Sequence, residues 1–270
     1  MNQSERRLYL IRSLLEEDPR YREWTIPRDA EAQRQLLRGL MNIRVPKAIG
    51  NDFLAVQDTY LREEIAAKGI TDIAELKPVC HGLYLWQGDI TTLRCDAIVN
   101  AANSGLTGCY IPNHGCIDNA IQTYAGIELR LACEELIKKQ GYPEPTGQAK
   151  LTPAFNLPCR YVLHTVGPVI SGQVSERRDC RQLASCYRSC LELAAEHDLE
   201  SVAFCCISTG EFRFPNELAA QIAISTVKEF MTQQTGIKKV IFNVYKEKDR
   251  DIYKRLLGAD RAAENSAARV

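Results

Sequence analysis

No stretch of the 270-residue chain approaches the roughly 20 consecutive apolar residues that a membrane-spanning helix needs. The start, Met1-Asn2-Gln3-Ser4-Glu5-Arg6-Arg7, is polar and no long apolar run follows it, so a secretory leader is not expected and a cytoplasmic location is. An excess of either charge is also missing. The 34 Lys and Arg balance 34 Asp and Glu, and a formal net charge of zero gives no general pull toward nucleic acid or anionic lipid. Neither is expected as a partner, and an anionic ligand has to be held locally. There are no internal repeats and no low-complexity tract. A P-loop is missing too: the turn at Ser208-Thr209-Gly210 has no lysine in the required place, which argues against kinase or NTPase chemistry.

What is present is an ordinary globular composition, 45% hydrophobic and 25% charged, at a length that suits one sizeable domain plus an appendage. The eleven cysteines are an odd number in a chain with room for a large core. They read as reduced thiols or metal ligands rather than a disulfide framework. Cys205-Cys206 and the helically spaced Cys186 and Cys190 read as buried small apolar residues.

Residues 1–80 show helical spacing and no strand pattern. Leu8, Ile11, Leu14 and Leu15 form one stripe, and Leu36, Leu37 and Leu40 form another after a start near Arg28-Asp29. This is a helical extension, packed on the main domain or docking a partner. From Leu83 onward short apolar runs alternate with helical segments, the pattern of an α/β domain with a parallel or mixed sheet. Strands are predicted near 83–87, 96–100, 147–153, 160–166, 202–207 and 239–244. Apolar stripes at Leu183, Tyr187, Cys190, Leu191 and Ala194, and at Ala219, Ile222, Ala223, Thr226 and Phe230, predict helices covering the sheet. The domain ends near 258, and 259–270 reads as a flexible tail.

Chemistry concentrates in three loops that follow strands, where α/β sheets bind ligands. Gly88-Asp89-Ile90-Thr91 places a carboxylate that suits either a ligand amine or a backbone cap. Asn100-Ala101-Ala102-Asn103-Ser104-Gly105 sets neutral amides among tiny side chains, fit for a close ligand's hydroxyls and equally for a turn. Ile207-Ser208-Thr209-Gly210-Glu211-Phe212 offers hydroxyls and backbone N–H groups to a diphosphate. Between the second and third, Cys109, His114 and Cys116 stand within eight positions beside Gly108, Pro112 and Gly115. Thiolates and imidazole in a bendable loop are zinc ligands, and three of them leave a coordination position for water or substrate. Closure by a fourth ligand among Cys80, His81, Cys95 and His164 is the structural alternative. Asp118 follows in the first turn of a predicted helix, placed there either for the helix dipole or as a base beside the ion.

Five ordered blocks carry a resemblance: Gly88–Thr91, Asp96–Asn103, the Cys-His-Cys loop running into Cys116-Ile117-Asp118, His164-Thr165-Val166-Gly167-Pro168, and Ile207–Gly210. Over about residues 83–257 they resemble the macrodomain family, and within it the zinc-dependent branch of bacterial protein ADP-ribosylhydrolases. In common hydrolytic macrodomains the loop before the catalytic acid is glycine-rich, and its interruption by Cys109, His114 and Cys116 marks this branch. The resemblance implies a three-layer α/β/α macrodomain with a mixed central sheet at 81–258, preceded by an N-terminal helical extension at 1–80. It implies Asp89 and Ile90 at the adenine, and Asn103 at the distal ribose. Cys116, Ser208, Thr209, Gly210, Glu211 and Phe212 would surround the diphosphate, with Asp118 and Asn103 catalytic.

The implied cofactor is one Zn2+ per chain. The implied activity is removal of mono-ADP-ribose from acidic side chains of a modified protein. A lipoyl-carrier-like protein and a sirtuin-like ADP-ribosyltransferase are the implied partners. A non-enzymatic ADP-ribose-binding module with structural zinc, or an O-acetyl-ADP-ribose deacetylase, would use the same pocket.

Overall fold

A computed structural model describes the backbone of residues 1–267 and the side chains of residues 1–258. Three helices open the chain: α1 (Gln3–Glu17), α2 (Ala30–Ile43) and α3 (Asn51–Lys68). Asn2 and Glu5 form a capping box on α1, and Asp29 caps α2 where the sequence predicts its start. Their apolar stripes meet in a separate small core of Leu10, Ile11, Leu14, Leu37, Leu40 and Leu61, which Ile127 of the main domain closes. A two-residue strand, β1 (Thr71–Asp72), then pairs in parallel with β3 (Leu93–Arg94). Residues 1–80 were expected to hold no strand, and two residues are too few to show an alternation.

The principal sheet holds β2 (Leu83–Gln87), β4 (Ala97–Ala101), β5 (Ala149–Pro153), β6 (Tyr161–Thr165), β7 (Ser201–Phe204) and β8 (Lys239–Val244). Its order is β2-β8-β7-β4-β6-β5, parallel except for the antiparallel edge strand β5, so the sheet is mixed. The central strands are buried on both faces, which is why they read as continuous apolar runs such as Ala97-Ile98-Val99. Two predicted strands are trimmed. Gly147, at φ 89°, turns the chain before β5, and β7 stops at Phe204, leaving Cys205–Ile207 to start a loop.

Helices α4 (Ile117–Ala125) and α5 (Ile127–Gln140) pack on β4 and β5 and receive the extension. Along the sheet run α6 (Arg181–Glu196), α7 (Asn216–Met231) and α8 (Glu247–Ala267), packed side by side. Cys186 and Cys190 lie fully buried on the inner face of α6, as small apolar residues would. The flexible tail expected at 259–270 falls outside the described side chains. Among the described residues, no helix is long and apolar enough to cross a membrane. The four loops that matter for chemistry leave the carboxyl ends of β2, β4, β6 and β7, the edge where parallel sheets bind ligands.

Candidate active site

Strand β4 delivers the first two amides of the candidate site. Asn100, its penultimate residue, is wholly buried and donates from Nδ2 to Asp118 Oδ1 at 2.8 Å. Just beyond the strand, Asn103 accepts at Oδ1 from the Gly105 N–H (2.9 Å) and donates from Nδ2 to the Gly108 carbonyl (2.9 Å), with Asp118 Oδ2 3.4 Å away. One amide therefore closes the turn and faces the acid.

Asp118 sits in the first turn of α4 and is 5% exposed. Burial pushes its carboxyl up to about 6, against the pull of the Asn100 hydrogen bond and the Arg130 guanidinium. At the start of α4 the carboxyl meets the positive end of the helix dipole, and its burial raises its proton affinity toward neutrality.

Cys116 is the N-cap of α4, its sulfur accepting from the Asn119 N–H at 3.4 Å. The chain before it folds back so that the donor atoms of Cys109, His114 and Cys116 all lie within 4.8 Å of one another. No other cluster of three such groups occurs among the described residues, and Cys80, His81, Cys95 and His164 lie outside it. Cys109 Sγ is 3.5 Å from His114 Nδ1. Two donors on one tetrahedral zinc, at about 2.3 Å for sulfur and 2.1 Å for nitrogen, stand about 3.6 Å apart, so the Cys109–His114 pair fits the ion and Cys116 lies within reach of it. The other ring nitrogen, His114 Nε2, lies 3.5 Å from Glu211 Oε1. A carboxylate there favours the tautomer that leaves Nδ1 free to bind a metal.

The loop after β7 brings Glu211 to this place. Ser208, buried and at φ 64°, accepts through its carbonyl from the Phe214 N–H (2.9 Å), while Thr209 Oγ1 donates to the Cys206 carbonyl (3.0 Å). Phe212 ties this loop to the one after β6, its carbonyl accepting from the Ile170 N–H at 2.8 Å. Gly210 has open space where a side chain would stand.

At the carboxyl end of β2, Asp89 acts as the backbone cap that one of the two sequence readings allows. Its Oδ1 accepts from the Thr91 N–H (3.0 Å) and hydroxyl (2.6 Å), capping the turn above buried Ile90. Its Oδ2 accepts from Lys68 Nζ at 2.8 Å, and that ammonium lies 3.3 Å from the Tyr124 ring centre. Burial raises the Asp89 carboxyl, but Lys68 and Thr91 outweigh it and hold it below the usual range.

Lys68 is the neighbour that sequence reasoning missed, while Asn100 and His164 were singled out without their mutual contact being foreseen. His164 was a prospective fourth ligand. It lies instead under Asn100, with Nδ1 3.2 Å from Asn100 Nδ2 and Nε2 2.9 Å from Thr152 Oγ1. The signal for Asn100 was its place at the end of a buried apolar strand, where a polar side chain needs a partner.

A mixed six-stranded α/β sheet with its polar loops gathered at the carboxyl edge defines the class, and comparison with known proteins supplies the family. The Macro domain family model matches residues 99–223. A protein-ADP-ribose hydrolase of Treponema medium is 55% identical over 261 residues, spanning 95% of this chain and 100% of that protein. One from Staphylococcus aureus is 45% identical over 253 residues, 93% of this chain and 95% of its own length. Among solved structures, the Trypanosoma brucei macrodomain in complex with ADP-ribose has a TM-score of 0.63 at 29% identity, covering 82% of this chain and 94% of that one. The chain belongs to the macrodomain family.

Proposed function

We propose that this protein hydrolyses the bond joining ADP-ribose to a modified protein side chain, with Asp118 as the group that orients and deprotonates water. Relatives named protein-ADP-ribose hydrolases align with it almost end to end, which supports a hydrolase acting on protein-linked ADP-ribose. The observation that carries the residue assignment is the buried Asp118 carboxyl, raised to about 6, fixed by Asn100 and facing Asn103.

Asp89 and Ile90 bind the adenine in this reading, Cys116 and the 208–212 loop enclose the diphosphate, and Asn103 orients a hydroxyl of the distal ribose. Asp118 directs a water at the anomeric carbon. A bond forms from the water oxygen to that carbon, and the bond from the carbon to the side-chain oxygen breaks. Its electron pair leaves with the protein carboxylate, while the water's proton passes to Asp118. A carboxylate leaves without being protonated, so one acid–base group suffices. This favours an Asp- or Glu-linked ester as substrate. One Zn2+, held by Cys109, His114 and Cys116, would supply a Lewis-acidic centre that positions the ribose. The modified protein is proposed to be lipoyl-carrier-like and to receive its ADP-ribose from a sirtuin-like transferase in the cytoplasm.

The test incubates an ADP-ribosylated carrier with wild type, with Asp118→Ala, and with chelator-treated wild type whose fold is followed by circular dichroism. Release by wild type alone is expected. Equal release by Asp118→Ala, or none by either, overturns the assignment. Loss of both fold and activity on chelation would make the ion structural. Rates on O-acetyl-ADP-ribose measured alongside rank the deacetylase reading.

A further inference from the structure

Helix α2 of the extension reaches the metal loop with two polar side chains on one face. Arg38 donates from Nη2 to the His114 carbonyl (2.9 Å), and from Nε and Nη2 to Asn119 Oδ1 (3.1 and 2.7 Å). One helical turn further on, buried Asn42 accepts at Oδ1 from the Asn113 N–H (3.0 Å) and donates from Nδ2 to Thr123 Oγ1 (3.0 Å). Between them Gly39 leaves room: a Cβ there would stand 3.4 Å from Asn113 Nδ2 and 3.7 Å from Pro112 Cβ. Asn119, fully buried, completes the clamp by donating from Nδ2 to the Ile111 carbonyl at 3.0 Å.

The segment so gripped has no regular secondary structure and contains Asn113 in the left-handed region at φ 56°. Glycine at 108 and 115 would let a free loop sample many shapes, and ordering it on metal binding would cost entropy. Arg38 and Asn42 fix it at the backbone of 113 and 114, next to one ligand and two residues before another.

We infer that Arg38 and Asn42 are positioning residues through which the N-terminal extension holds the Cys109–Cys116 loop in ligand-binding geometry. The extension is thereby a working part of the site and not a separate docking module. Its effect on metal affinity rests on the zinc reading above, whereas its effect on the loop does not.

The full chain would be prepared as wild type, Arg38→Ala, Arg38→Lys and Asn42→Ala. Amide exchange at residues 110–116 would be read in metal-free protein, with amides of β4 and β7 as the internal measure of fold. Zinc affinity would be read by competition with a chromophoric chelator. In Arg38→Ala the loop should exchange roughly 10-fold faster with the sheet amides unchanged, and zinc should bind roughly 10–100-fold more weakly. Arg38→Lys, which keeps a donor for the His114 carbonyl but not the fork onto Asn119, should fall between. Should Asn42→Ala lose sheet protection, the partly exposed Arg38 pair decides. Unchanged loop exchange in Arg38→Ala overturns the inference whatever the zinc affinity. A wild type that binds no zinc removes the metal reading and leaves the loop result to stand by itself.

Discussion

The side-chain amide of Asn100 donates to the Asp118 carboxylate at 2.8 Å, both residues being buried at the end of the sheet. That bond opposes the burial that raises Asp118, and it occupies Oδ1, leaving Oδ2 toward Asn103. Removing it in Asn100→Ala deletes a hydrogen bond to a charged group, worth about 1.5–3 kcal/mol, or roughly 10–100-fold. The loss should appear in kcat while ADP-ribose affinity, measured by calorimetry, changes little. An equal loss in both would mean that Asn100 grips the ligand instead.

His164 lies behind that pair, and burial lowers its pKa to about 3, so it is neutral in the fold. A depressed folded pKa contributes stability above the unfolded value near 6.5, lost as pH falls toward about 3. Asp118, raised to about 6, acts in the opposite sense: its contribution is full below about 3.8 and is lost as pH rises through about 6. A His164→Gln variant removes only the first effect. Urea unfolding at pH 7.5 and 4.5 should show wild type losing on the order of 3 kcal/mol more than the variant over that interval. A pH-independent difference would disprove the buried neutral imidazole.

Much of this was legible from local pattern, and what was not depended on distance along the chain. Strands buried on both faces write themselves as apolar runs, and the thiols and imidazole that could hold a metal share one loop, so Ala97–Val99 and Cys109–Cys116 stood out. The partners of those loops did not. Lys68 meets Asp89 across 21 positions and Arg38 meets Asn119 across 81, contacts that exist only because the extension packs on the main domain. Asp118 was visible as a helix-start acid, but its burial is a property of the packed domain. The β1–β3 pair is two residues long, below the length at which periodicity speaks.

The Lys68–Asp89 pair is about one-third exposed on each side, so its contribution to stability is small, at most about 1 kcal/mol. Lys68→Met should leave thermal unfolding nearly unchanged. Asp89→Ala, at the residue proposed to bind the adenine away from the reacting carbon, should raise KM roughly 10-fold or more at nearly constant kcat, the signature of uniform binding. A fall confined to kcat would place Asp89 in the chemistry.

Glu211 faces His114 Nε2 at 3.5 Å from an exposed position, so its substitution perturbs His114 and not the core. Carboxylates that orient a metal-bound imidazole are typically worth 10–100-fold in metal affinity. Exposure places Glu211→Gln near the lower end, roughly 10-fold, with an unchanged melting temperature for the metal-free protein. Chelator competition checks the first and calorimetry the second. Undiminished affinity would show that Glu211 does not orient the His114 imidazole for a metal.

Gly167 is where the loop after β6 crosses the loop after β7. A Cβ there would stand 2.0 Å from Ser208 Oγ and 2.9 Å from Ile207 Cγ2. Rotating the Ser208 hydroxyl would relieve the first contact but not the second, and Ile207 is fully buried, so backbone has to move. Ser208 already sits in the left-handed region at φ 64°, and its carbonyl closes the turn by accepting from Phe214. The displacement therefore passes into residues 208–212, which are proposed to enclose the diphosphate, rather than into α4 and Asp118. Gly167→Ala should lose about 1–3 kcal/mol of stability. ADP-ribose affinity should fall further than kcat does at saturation. Calorimetry and saturation kinetics on one preparation separate the two. A variant whose kcat collapses while binding holds would show that this crossing supports the acid and not the diphosphate loop.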